Sequence, residues 1–282
     1  MKIFVEMRMI LVLAMALFAH VCRAQTNTII SENKFLQEDS LLRIQYELEY
    51  SMLVKKHQSE LIDKDSFNHA MQELLQKVYL KTVELALKYA STQSGLHRIY
   101  MVRANISKDS LTKKLLTLPD SLRNSRYAQY IQRYIDTEQL NVSDHYVPFV
   151  CHTADGESFN WNNLKGKHFL LIFDGLYCMG ENGRIYLQEL LDKTDRGKFE
   201  IVVYIKCENL QKLAEEQNKF PLFKLISDFQ PEGNPMNIVY NCQATPTCFM
   251  VDESGVLQLY SLGIRSEQIN EYLKANGCIK NS

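Results

Sequence analysis

The sequence predicts an α/β domain in the second half of the chain, preceded by an all-helical region. Three observations support this prediction. Apolar residues recur at helical spacing through most of residues 25–143, whereas short apolar runs alternate with helical segments in residues 144–282. That alternation is typical of α/β folds with parallel strands in the sheet. With 282 residues, 46% of them hydrophobic, the chain is also long enough for two domains.

Residues 1–24 have the composition of a secretory signal peptide. Two basic residues precede a short apolar run over residues 9–18, and small residues lie near the expected cleavage point after Ala24. The run is shorter than the ~20 residues of a membrane span, which disfavours an uncleaved anchor. A lipid anchor on Cys22 is a third interpretation, disfavoured by the bulky residues before it. We expect export to the periplasm or cell envelope, with no stable membrane span in the mature chain.

The region from residue 25 to residue 143 is predicted to be helical throughout. The second helix is expected to start at Ser66 with Asp65 as its N-cap. Its three histidines are not paired at ligand spacing, so no metal site is expected. Apolar periodicity predicts helices over residues 41–52, 66–85, 96–104, 107–118 and 119–134.

The region from residue 144 to residue 282 is predicted to alternate strands and helices. β-Branched and aromatic runs indicate strands, and apolar residues at helical spacing indicate the helices between them. A loop is expected over residues 228–237, which contain Pro231, Gly233 and Pro235. The predicted strands cover residues 149–152, 169–173, 199–205, 248–252 and 256–260, and the predicted helices begin at Glu181, Glu208 and Ser266.

Cys178 lies where the strand over residues 169–173 gives way to the next helix. The N-terminus of a helix offers free amide N–H groups and the positive end of the helix dipole. A thiolate is stabilised at such a position, and the thiolate is the reactive form of cysteine. Cys178 is therefore the candidate nucleophile of the chain.

Composition excludes some partners and leaves the other cysteines without a motif. The formal net charge is −1, which gives no reason to expect nucleic acid as a partner. Six cysteines follow the predicted signal, at wide and irregular spacing. This spacing resembles neither a dense disulfide framework nor paired zinc ligands.

Several motifs in the second half resemble one known family, the exported thioredoxin-fold proteins of the TlpA/ResA type. The resemblance implies a thioredoxin-like fold for residues 144–282 and thiol-disulfide oxidoreductase chemistry, with no cofactor. The first half is similar, less specifically, to helical segments that precede this domain in Bacteroidetes proteins. The motifs are Asp155-Gly156, Leu164-Lys165-Gly166-Lys167, Tyr177-Cys178, Ala244-Thr245-Pro246-Thr247 and Asp252-Glu253-Ser254-Gly255.

The resemblance assigns roles to four positions of the site. Cys178 matches the cysteine that attacks a substrate disulfide. Tyr177 replaces the family's usual tryptophan beside it. Thr245-Pro246 matches the loop that presents backbone to an extended substrate, and the Thr245–Pro246 peptide bond is expected to be cis.

The family's second cysteine is missing from this chain. Glu181 occupies the position of the resolving cysteine in the Cys-x-x-Cys pair. Its carboxylate either relays a proton for Cys178 or is a surface charge that disfavours the thiolate; the second interpretation is favoured on electrostatic grounds. Cys207 ends the neighbouring strand and is either a displaced resolving thiol or, as is more common, a buried core cysteine.

Three functions are compatible with these residues. The first is thiol-disulfide exchange through Cys178 alone, with exported protein or peptide thiols and disulfides, or a small thiol reductant, as partners. The second is a redox-inactive thioredoxin-fold module that binds another exported protein or peptide. The third, a one-cysteine peroxidase, is disfavoured because Gly175 stands where that chemistry expects a threonine.

Overall fold

The computed structural model describes residues 31–280. The predicted signal peptide and Cys22 lie outside these residues. The chain divides into two compact units, the first ending at Ile135 and the second beginning at Asp136. This division precedes the predicted boundary at residues 143/144, because the segment just after residue 136 already bonds to the second unit. Within that unit, the Leu140 N–H donates to the Val239 carbonyl at 3.0 Å.

The first unit is helical, as predicted. The cap of its second helix differs from the prediction: the Asp63 carboxylate, not Asp65, accepts a hydrogen bond from the Ser66 N–H at 2.7 Å. The predicted last helix is interrupted near Ser125, whose hydroxyl caps a new helix by accepting from the Ala128 N–H. The helices are α1 (residues 31–58), α2 (Lys64–Lys88), α3 (Gln93–Val102), α4 (Lys108–Leu116), α5 (Asp120–Arg123) and α6 (Arg126–Asp136).

Helix α1 is attached to α2 mainly by polar contacts. The Lys88 ammonium pairs with the Glu38 carboxylate at 2.8 Å, and the Phe35 ring packs edge-on against Tyr89. By contrast, Leu41 and Leu48 are 58% and 59% exposed. The apolar periodicity that predicts α1 therefore marks a surface stripe and not a buried face.

The second unit contains a six-stranded mixed sheet in the order β1-β4-β3-β2-β5-β6. Strand β2 is parallel to β3, and β3 to β4, while β5 is antiparallel to both β2 and β6. The strands are β1 (His152–Thr153), β2 (His168–Phe173), β3 (Phe199–Tyr204), β4 (Lys224–Ser227), β5 (Thr247–Val251) and β6 (Leu257–Leu262). The helices are α7 (Gly180–Lys193), α8 (Leu210–Lys219), α9 (Pro235–Ile238) and α10 (Ser266–Ala275).

Both faces of the sheet are buried. Along β2, Leu170 and Ile172 join a cluster with Leu187 of α7 and Ile269 of α10. The alternate residues of β2 join a cluster on the other face, which includes Trp161. Alternation with period two places neighbouring side chains on opposite faces, so β2 is the centre of the core.

Two parts of the sheet differ from the prediction. The first strand is His152–Thr153 and not residues 149–152, because upstream backbone groups bond elsewhere: the Phe149 carbonyl accepts from Trp161 Nε1 at 2.7 Å. Strand β4 was not predicted from its short run, which begins with a lysine. The expected loop over residues 228–237 contains the first three residues of the short helix α9.

No helix within residues 31–280 is long and apolar enough to cross a membrane.

Candidate functional site

Cys178 lies in the connection between β2 and α7, as the sequence predicts. The turn before it is closed by a hydrogen bond from the Met179 N–H to the Gly175 carbonyl at 3.0 Å. Helix α7 starts two residues later, and its N-cap residue, Met179, makes no side-chain capping bond. No side chain at the N-cap therefore satisfies the first amides of α7, although the Glu181 carboxylate lies in its first turn.

Cys178 is the exposed thiol of the described chain. Of the six cysteines in residues 31–280, the other five are buried. Burial raises the pKa of the Cys151 and Cys248 thiols to about 12. A thiol that is protonated and inaccessible does not attack a disulfide. Accessibility therefore singles out Cys178 as the candidate nucleophile among the described residues.

The loop before β5 lies against the Cys178 turn. Cys178 Sγ is 3.9 Å from the Thr245 hydroxyl oxygen, within hydrogen-bond range for sulfur. The Thr245–Pro246 peptide bond is cis. The structure thus brings together Cys178, Thr245 and Pro246, three of the residues predicted for the site.

Gly175 is a site residue that the sequence reasoning missed. Its φ is +82°, and a Cβ added there would lie 2.5 Å from the Pro246 nitrogen. Only a residue without a side chain permits this approach. The signal for it in the sequence is the Asp174-Gly175 pair directly after a buried strand.

Tyr177 is exposed but fixed by α8. Its hydroxyl donates to the Glu216 carboxylate at 2.8 Å and accepts from the Lys219 ammonium at 3.3 Å. The ring also packs edge-on against Phe220, with centroids 5.3 Å apart. The aromatic residue beside the nucleophile therefore has a defined orientation, and its hydroxyl is already engaged.

Glu181 lies in the first turn of α7 and is exposed. Among the described residues, no hydrogen bond joins it to Cys178. A carboxylate in the first turn of a helix interacts favourably with the helix dipole, and this gives Glu181 a structural role at its position.

Cys207 is on the other side of the turn from Thr245. It follows β3, whereas Thr245 precedes β5, and β2 lies between these two strands. Cys207 is only 6% exposed, and burial raises the pKa of its thiol, with the Asp174 and Asp228 carboxylates adding to the effect. Cys178 and Cys207 are both free thiols.

A cleft of about 370 Å³ lies on the Cys207 side of the turn. Leu176, Ile205 and Cys207 contribute its apolar lining, and Tyr177 stands at its wall together with charged residues of α8. Tyr177 therefore faces this cleft, whereas Cys178 contacts the Thr245 loop.

No group of three or more potential metal ligands is found among residues 31–280. The arrangement offers instead one exposed thiol near the start of α7, beside the Thr245–Pro246 loop.

Comparison with known proteins agrees with this geometry. No family model matches the chain. It is 26% identical over 144 residues to the thiol-disulfide oxidoreductase ResA of Bacillus thuringiensis (strain Al Hakam), covering 50% of this chain and 82% of the relative. The ResA protein of Bacillus anthracis matches to the same extent.

The second unit has a thioredoxin fold, and the chain is similar to proteins of the TlpA/ResA type. This confirms the predicted resemblance and the predicted fold class. A solved thiol-disulfide oxidoreductase from Bacteroides fragilis is 14% identical; the match covers 47% of this chain and 100% of that one, with a TM-score of 0.40. Among the described residues, this unit presents one exposed cysteine, Cys178.

Proposed function

We propose that this protein carries out thiol-disulfide exchange in the cell envelope through Cys178 alone. The observation that carries the proposal is the placement of the exposed Cys178 sulfur 3.9 Å from the Thr245 hydroxyl, beside the Pro246 loop. The substrate is an exported protein or peptide with a disulfide. Its chain lies extended against the Thr245–Pro246 loop, while Tyr177 faces the cleft on the other side of the turn.

The reaction takes place in balanced steps. The Cys178 thiolate attacks one sulfur of the substrate disulfide; a Cys178–substrate disulfide forms and the other substrate sulfur leaves as a thiolate. A small thiol then attacks the Cys178 sulfur, which releases the second substrate thiolate and leaves Cys178 bonded to the small thiol. A second small thiol frees Cys178 and forms a small-molecule disulfide. One substrate disulfide is reduced and two thiols are oxidised.

An outside thiol is proposed as the resolver because the internal candidates are unsuited. Glu181 has no sulfur. Cys207 is buried, and burial raises the pKa of its thiol, so it is neither accessible nor readily ionised.

The Thr245 hydroxyl is proposed to stabilise the sulfur during exchange. A hydroxyl can donate a hydrogen bond to a thiolate, which is the form of cysteine that attacks a disulfide and the form in which its sulfur leaves one. Glu181 is not given a role in the reaction, because it is exposed and has no hydrogen bond to Cys178 among the described residues.

The test is to trap the mixed disulfide. The purified protein is incubated with an excess of a disulfide-linked peptide, quenched with acid, and analysed by intact mass and peptide mapping. We expect one peptide adduct per chain, located on Cys178, and its loss in Cys178→Ser. The rate of Cys178 alkylation against pH in the parent and in Glu181→Gln then tests the carboxylate, and faster alkylation of the variant is expected because the removed charge disfavours the thiolate.

A second candidate is a redox-inactive module that binds an exported protein or peptide. The observation that favours it is Glu181 at the position of the resolving cysteine. It predicts that a reduced peptide binds Cys178→Ser and the parent equally, and that no adduct forms with the disulfide-linked peptide. Formation of the Cys178 adduct would decide against this candidate.

A further inference from the structure

The helical unit contains a second cavity, remote in sequence from the Cys178 turn. It has a volume of about 630 Å³ and lies among α4, α5, α6 and the turn after α4. Its apolar lining comes from Leu115, Leu116, Leu118 and Ala128. A cavity of this size is in the range of small-molecule sites in proteins.

The mouth of this cavity is open and apolar. Leu116 lines it while 74% exposed, so a large aliphatic side chain remains in contact with water. Leu118 and Ala128, by contrast, are 3% exposed and form part of the buried core. The cavity therefore leads from an exposed apolar rim to a buried apolar wall, and an aliphatic ligand would remove the exposed surface from water.

The charged side chains that line the cavity are both positive. Arg123 and Arg133 line it, and none of the described lining residues is acidic. The Arg123 guanidinium is positioned by the Asp120 carboxylate at 3.2 Å and by the Leu118 carbonyl. Arg133 is on α6, one helical turn from Gln129, which also lines the cavity. Since the Asp120 carboxylate offsets the charge of Arg123, Arg133 is the residue that favours an anionic group at the rim and disfavours a cationic one.

We propose that this cavity binds an aliphatic carboxylate, a medium- or long-chain fatty acid, with the chain against the leucines and the carboxylate at Arg133. One ligand then satisfies both properties of the site, its apolar wall and its positive rim. Helices α4, α5 and α6 that form it belong to the first unit, so the site does not depend on the thiol chemistry of the second unit.

The test is calorimetric titration of the purified protein with a homologous series below the micelle concentration: octanoate, decanoate and dodecanoate. Each buried methylene strengthens transfer from water by about 0.8 kcal/mol, so the affinity is expected to rise about fourfold per methylene. Decanol and decyltrimethylammonium have the same chain without the negative charge. Both are expected to bind more weakly than decanoate, and the cation is expected to bind most weakly.

Two variants and a control locate the site. Leu116→Asp places a negative charge at the rim, and its exposed position makes it compatible with folding; decanoate binding is expected to be lost. Arg133→Gln should lower the affinity for decanoate about fivefold, which is the upper range for an exposed ion pair, without changing the affinity for decanol. Lys114→Gln removes a positive charge from α4 without touching the cavity lining, and should leave decanoate affinity within about twofold.

The proposal is overturned if the parent protein does not bind decanoate, if affinity does not depend on chain length, or if Leu116→Asp binds as the parent does. Equal effects of Arg133→Gln and Lys114→Gln would also overturn it, since they would indicate non-specific charge attraction. A concentration-dependent dimer that Leu116→Asp abolishes would instead assign the leucine rim to a second copy of the chain.

Discussion

Gly175 and Pro246 approach each other backbone to backbone, so that a Cβ on Gly175 would also lie 2.8 Å from Pro246 Cα. These residues belong to the two loops that form the site, one after β2 and one before β5. Cys178 follows three residues after Gly175, and Thr245 directly precedes Pro246. The absence of a side chain at residue 175 therefore sets the distance between the nucleophile and the loop proposed to hold its substrate.

Gly175→Ala should destabilise the protein and slow exchange at Cys178. A non-glycine residue at positive φ costs about 1–2 kcal/mol, and overpacking adds about 1–3 kcal/mol. The measurement is urea denaturation, together with the rate of mixed-disulfide formation at Cys178.

Gly180→Ala is the matched control for that substitution. Gly180 also has a positive φ, +69°, but no atom lies within 4 Å of an added Cβ. It should lose only the backbone cost of about 1–2 kcal/mol. If the two variants are equally destabilised, the contact between Gly175 and Pro246 has no energetic consequence.

Thr245→Val should slow the reaction of Cys178 with iodoacetamide at neutral pH by about three- to tenfold. This is the effect of losing one hydrogen bond to the thiolate, which is worth about 0.5–1.5 kcal/mol. Thr245→Ser keeps the hydroxyl and should react at nearly the parental rate. A normal rate in Thr245→Val would show that the 3.9 Å contact does not support the thiolate.

Cys151 and Cys248 should make the protein less stable in alkaline solution. Burial raises both thiol pKa values from 9.0 to about 12. In the unfolded chain these thiols ionise above about pH 9, whereas in the folded chain they remain protonated. The stability they contribute is thus fully present below pH 9 and is lost as pH rises towards 12.

The check is the free energy of unfolding, measured by urea denaturation at a series of pH values between about 8 and about 11. The Cys151→Ala/Cys248→Ala double variant should be less stable than the parent below pH 9, yet decline less steeply above it. Parallel curves for parent and variant would contradict the assignment to these two thiols.

Glu181→Cys should restore a dithiol site. The introduced thiol lies in the first turn of α7, three residues after Cys178, as in the Cys-x-x-Cys pair of the family. Under mild oxidation the variant should lose two reactive thiols, and reduction of a disulfide peptide should become independent of the concentration of a monothiol. Retention of both thiols would mean that this helix start has lost the geometry needed for a disulfide.

Local sequence patterns sufficed for the parts of the fold that depend on local structure. Cys178 at a strand–helix junction and helix α10 at residues 266–275 follow from apolar periodicity and turn residues alone. Strand β4 did not, because its four residues begin with Lys224 and carry too little pattern; it forms by pairing with β3.

The sequence predicts that Cys178 and Cys207 follow neighbouring parallel strands, and β2 and β3 do pair in parallel. The side of β2 on which the Thr245 loop lies could not be predicted, because it depends on the order of the strands. Parallel strands place their C-terminal ends at one edge, which made Cys207 a candidate resolving thiol. The order shows that the Thr245 loop and Cys207 flank β2 from opposite sides. The contact between Gly175 and Pro246 is likewise a tertiary one, between residues 71 positions apart in the printed sequence.

The most direct test of the central claim is the rate at which a disulfide-linked peptide is reduced in the presence of a monothiol such as 2-mercaptoethanol. The rate is compared for the parent, Cys178→Ser and Cys207→Ser. We predict that Cys207→Ser retains the parental rate and that Cys178→Ser shows only the rate of the monothiol alone. Loss of activity in Cys207→Ser, with the fold intact, or full activity in Cys178→Ser, would contradict a mechanism that uses Cys178 as its single thiol.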